Sequence, residues 1–98
     1  LCESVLSLLA DFLEAYPWNA EGWGGLARPW GASGAESLMS HAIAVLRAAR
    51  LGFEVETIDK SKARRLLAAL EKVSPTLKDT GRIRAIWTIL WSQLVGLT

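Results

Sequence analysis

The sequence predicts an all-α domain, a small bundle of four to five helices. Three observations lead there. Apolar residues recur at three- and four-residue spacing in four separate stretches. The one alternating run, residues 53–58, would be a lone strand with nothing to pair with. About half the chain, 51%, is hydrophobic, which is enough to build a core and argues against disorder.

The first helix is expected over residues 1–16. Leu1, Val5, Leu8, Leu9, Phe12, Leu13 and Tyr16 follow the helical period, with Glu3, Asp11 and Glu14 at other angles and Pro17 as a stop. Residues 17–36 read as a loop, because Pro17, Gly22, Gly24, Gly25, Pro29, Gly31 and Gly34 oppose a long regular element. Trp18, Trp23 and Trp30 lie in that loop, either as a lid on the core or as anchors for a partner. Its glycines do not form a phosphate loop, since no Lys-Ser/Thr pair follows them into a helix.

The second helix is expected over 35–50. Leu38, Met39, Ala42, Ile43, Val45, Leu46 and Ala49 form one face; Ser37, Ser40, His41, Ala44, Arg47 and Ala48 form the other. Gly52 suits the left-handed position beyond its end. Residues 53–58 then connect to a third helix over 60–72, with Asp59 as N-cap and Ile58 and Ala63 as a weak hydrophobic staple. Its apolar stripe is Ala63, Leu66, Leu67 and Leu70.

A fourth helix is expected to open at Ser74-Pro75, with the Ser74 hydroxyl as a cap and Gly81 early inside the helix. Ile83, Ile86, Trp87, Leu90, Trp91 and Leu94 fill an arc of roughly 140°, the width of a core-facing stripe. Lys78, Arg82, Ala85, Thr88 and Ser92 occupy the opposite arc, with Ile89 among them. Two indoles on one stripe make this helix the expected spine of the domain.

The 98 residues fit a single domain. No apolar run reaches the ~18 residues that span a bilayer. The lone Cys2 cannot form an internal disulfide, so the default setting is reducing, and the expected localisation is cytoplasmic. Catalytic residue types are few: His41 stands without zinc-ligand spacing, and neither H-E-x-x-H nor G-x-S-x-G occurs. Glu54 and Glu56 read as a solvated acidic pair rather than catalytic carboxylates. No enzyme activity, metal or cofactor is expected of the chain on its own. The net charge of +1 is nearly silent about partners, although Arg47, Lys60, Lys62, Arg64, Arg65, Lys78, Arg82 and Arg84 gather on the polar faces of helices two to four.

From Ala32 onward the order of features resembles the SAM-like core-binding domain of tyrosine recombinases, the phage integrases. Three pieces bear the likeness: the helix over 35–50 with its Leu51-Gly52-Phe53 stop and Glu56-Thr57-Ile58-Asp59 lead-in; the Lys60, Ala63, Leu66, Leu67, Leu70 helix; and the closing segment from Ser74-Pro75-Thr76 through Arg82, Ile86 and Leu90 to Gly96-Leu97. Trp87, Trp91, Gly81 and the Trp/Gly loop depart from the family pattern, and the family's catalytic half has no counterpart here. The resemblance implies one helical domain over 1–98, the amino-terminal clamp of a longer recombinase in a bacterial or phage-infected cell. It would grip duplex DNA at a recombination site, beside its own catalytic domain and neighbouring protomers, and away from membranes. Its DNA contacts are expected from Ser37, Ser40, His41 and Arg47 on helix two, and from Thr76, Lys78, Arg82 and Arg84 near the start of the last helix. The other reading is a helical protein-interaction module anchored by the Trp loop.

Overall fold

The structure, a computed structural model, describes residues 4–15, 27–77 and 81–98, with side chains from 34 onward in the second segment. Four helices, α1 Val5–Glu14, α2 Ala27–Arg50, α3 Lys60–Val73 and α4 Arg82–Val95, account for most of it, with a 3-10 turn at Ser74–Thr76. The all-α expectation holds. Each helix packs on two others, in the closed order α1, α2, α4, α3, so that α2 and α3 lie on one diagonal and α1 and α4 on the other.

The core is aliphatic. Leu6, Leu9, Phe12 and Leu13 from α1 meet Met39, Ile43 and Leu46 from α2, Leu66, Leu70 and Val73 from α3, and Leu90 and Leu94 from α4. Among the described residues no polar or charged side chain is buried with them. Trp87 and Trp91 are only partly buried, packed on the flank of this core rather than at its centre. The spine role expected of α4 falls to Leu90 and Leu94.

Three helix starts differ from expectation. α1 begins at Val5, with an extended Ser4 as its N-cap, rather than running through residue 4. α2 begins at Ala27, a full two turns before residue 35. Pro29 is tolerated there because N–H groups in a first turn have no intrahelical acceptor. Gly34 faces α1, where a Cβ would stand in ordinary contact with the Phe12 ring, 3.4 Å from Cζ, and it does not break the helix. α4 begins at Arg82 instead of Ser74, because Gly81 takes φ 112°, a left-handed value that interrupts any helix running through it. Ser74 does not cap α4.

Other boundaries follow the sequence. Asp59 caps α3, its carboxylate accepting from Lys62 N at 2.8 Å. Gly52, at φ 87°, ends α2 in a Schellman turn: Gly52 N donates to Ala49 O and Phe53 N to Ala48 O, each at 3.1 Å. The connector after it is tied down by Glu56. That carboxylate accepts from Val5 N at 2.8 Å and from the Ser4 hydroxyl, while Ser4 Oγ accepts from Ser7 N. Glu56 is therefore the long-range cap of α1, seated at the positive end of that helix. It is not half of a solvated acidic pair.

At the other end of the α1–α3 contact, Arg65 reaches both Asp11 and Glu14. It holds Glu14 bidentately, Nη2 at 2.8 Å and Nε at 3.1 Å. The hydrogen bonds from Arg65 lower the Glu14 pKa below its ordinary 4.5. A folded-state pKa below the unfolded one stabilises the fold above the unfolded value, and that gain is lost as pH falls through the folded value. Arg65→Met should therefore lower the melting temperature at neutral pH. The gap from wild type should narrow between about pH 5 and about pH 3, followed by circular dichroism.

Candidate nucleic-acid interface

α2 and α4 run side by side in the same direction. Arg82 Nη2 at the start of α4 meets Glu36 Oε1, nine residues into α2, at 3.0 Å. At their ends the Arg50 guanidinium of α2 lies against Gly96, close enough that a Cβ there would be 3.4 Å from Nη2. Both contacts span fourteen residues of helix (36 to 50 and 82 to 96), so the two helices stay in register along their length.

The outward face of α2 is small and polar. Ser37, Ser40, His41, Ala44 and Arg47 are all exposed, and none of these side chains has a hydrogen bond or ion pair among the described residues. Short side chains let a ligand backbone approach the helix closely, with Arg47 as a cation at the edge. Among the described residues the face also lacks competing negative charge. α4 has no Asp or Glu, and the one acidic residue of α2, Glu36, is already paired with Arg82. The α1–α3 side differs, since Asp11, Glu14, Glu56, Asp59 and Glu71 are interleaved with its Lys and Arg residues.

The residues expected near the start of the last helix are divided. Arg82 is on the surface, its side chain 83% exposed despite the Glu36 contact, so most of its donors remain available. Thr76 is exposed, but its hydroxyl donates to Val73 O at 2.6 Å and serves the 3-10 turn. Lys78 lies outside the described residues, as do Trp18 and Trp23 and the side chain of Trp30.

Arg84 belongs elsewhere. Its Nη2 donates to Ser74 O at 2.7 Å and to Leu77 O at 3.3 Å, and Nη1 donates to Ser74 Oγ at 3.2 Å. The guanidinium also stacks on Trp87, 4.8 Å from the ring centroid, and Trp87 is itself stacked on Trp91 at 6.1 Å. Trp87 Nε1 completes the junction by donating to Leu70 O at 3.0 Å. Arg84 thus adds a second donor to Ser74 O, which already accepts from Leu77 N, reaches Leu77 O as well, and joins the turn past the end of α3 to α4. A sequence pattern that places it on a polar arc cannot reveal those acceptors.

Sequence reading also passed over Glu36 and Arg50. A Glu ahead of an exposed helical face carries no recognisable signal until its partner, 46 residues later, is known to be adjacent. Among the described residues no cluster of three or more His, Cys, Asp or Glu side chains could hold a metal, and no helix is long and apolar enough to cross a membrane. No family model, curated protein or solved structure matches the chain.

The two arginines of α4 should separate in stability measurements. Arg84→Lys removes the planar fork and is expected to cost about 1–3 kcal/mol in urea unfolding. Arg82→Ala removes one exposed ion pair and should cost under about 1 kcal/mol.

Proposed function

We propose that the chain is a non-catalytic DNA-binding domain of the tyrosine-recombinase core-binding kind, contacting duplex DNA through the outward face of α2 and the first turn of α4. The observation that supports this reading most is the charge pattern of that pair: exposed Ser37, Ser40, His41 and Arg47 beside exposed Arg82, with no unpaired carboxylate on either helix. Hydroxyls and arginines are the groups that position a protein on phosphates, and a face of small side chains admits the sugar–phosphate backbone. The resemblance from Ala32 onward points to the same two helices.

Binding on this reading is weak and electrostatic, as befits a net charge of +1. Ser37, Ser40 and His41 donate to phosphate oxygens. Arg47 and Arg82 neutralise phosphates on either side of the α2–α4 seam. Glu36 opposes binding, because it competes with phosphate for Arg82.

Fluorescence anisotropy of a labelled generic duplex, across about 50–200 mM salt, tests this. Removing two phosphate contacts in Arg47→Ala/Arg82→Ala should flatten the slope of log K against log[salt] by about 2. Glu36→Gln should tighten binding at low salt by freeing Arg82. Unchanged affinity and slope in a folded double variant would overturn the assignment of this face.

A further inference from the structure

We propose that the chain pairs with a second copy of itself through the corner formed by the end of α2, the connector that follows it and the end of α4. Large apolar side chains there face solvent. Leu51 is 76% exposed, Phe53 is 66% exposed, and Val55 is exposed as well. The Schellman turn at Gly52 is where such a side chain ordinarily folds back onto its own helix, yet Phe53 stays in solvent.

Beside this protrusion lies a groove of about 190 Å³, lined by Leu46, Ala49, Arg50, Ile58 and Leu97. A cavity of about 150 Å³ accepts benzene, so the groove has room for one phenyl ring. Phe53 of the same chain does not line it. Protrusion and recess thus occupy one surface, the arrangement that a two-fold pair requires: each copy offers what the other lacks.

Charge decides the occupant. Arg50 forms the only charged part of the groove wall, and it has no acidic partner among the described residues. The segment that bears the exposed ring, Phe53-Glu54-Val55, carries Glu54, which is exposed and likewise without a cationic partner among the described residues. A second copy seating Phe53 in the groove therefore brings Glu54 to Arg50, and the two-fold axis repeats the pair. The patch is small, so association belongs at the weak end, below about 1,200 Å² of total buried surface. This inference shares no residue with the proposed DNA face, so failure of either leaves the other standing.

Sedimentation velocity of the 98-residue chain, from about 10 μM to about 500 μM, tests it, with circular dichroism confirming that each variant is folded. Wild type should shift from monomer toward dimer over that range. Phe53→Ser should stay monomeric. Arg50→Glu and Glu54→Arg should each weaken association, since each places like charges across the pair. The double variant Arg50→Glu/Glu54→Arg should regain dimerisation. A wild-type chain that remains monomeric throughout, a Phe53→Ser chain that still dimerises, or a double swap that stays as weak as the single ones would overturn the proposal.

Discussion

The Arg84 guanidinium is the interaction on which the rest of the arrangement depends. One side chain satisfies two carbonyls and a hydroxyl from the turn after α3, and its plane rests on Trp87. With Trp87 Nε1 bound to Leu70 O, this ties the end of α3 to the first turns of α4 and sends α4 back antiparallel to α3. That return path brings α4 beside α2. Leu90 and Leu94 in the core and Arg82 beside Glu36 hold α4 there as well. The junction is polar and partly exposed, and it borders an apolar core in which leucine is the commonest residue.

The two ends of the α1–α3 pair are fastened in a different manner. Glu56 caps α1 at one end, and Arg65 bridges Asp11 and Glu14 at the other. Charges on this side are spent on internal contacts or balanced by neighbours of opposite sign. On α2 and α4 the one carboxylate, Glu36, is used between the two helices, which leaves among the described residues a face of hydroxyls, one imidazole and arginines. The asymmetry arises from how few acidic residues α2 and α4 contain, not from an excess of cations.

Much of the fold was legible in the sequence because it is locally encoded. The α3 start at Asp59, the α2 stop at Gly52 and the apolar stripe of α3 all follow from residues within a turn or two of each other, whereas on α1 Leu8, counted in the stripe, faces solvent and Leu6, left out of it, is buried. What could not be read depends on distant partners. The early start of α2 runs through Pro29, Gly31 and Gly34, which read locally as breakers, and the capping role of Glu56 needs Ser4 and Val5. The late start of α4 turns on the left-handed backbone of Gly81, which a helical-period count passes straight through. For the candidate site, periodicity placed Ser37, Ser40, His41 and Arg47 correctly on an exposed face. It could not show the partners of Arg84, because a helical wheel has no term for carbonyls supplied by a preceding turn.

The most direct test of the central claim, that the α2–α4 face meets DNA, is a backbone-amide NMR titration of the chain with a generic duplex at low and moderate salt. The account predicts salt-sensitive shifts concentrated on residues 37–47 and on the first turn of α4, with α1 and the body of α3 nearly silent. Shifts confined to α1 and α3, or no shifts at low salt, would contradict it.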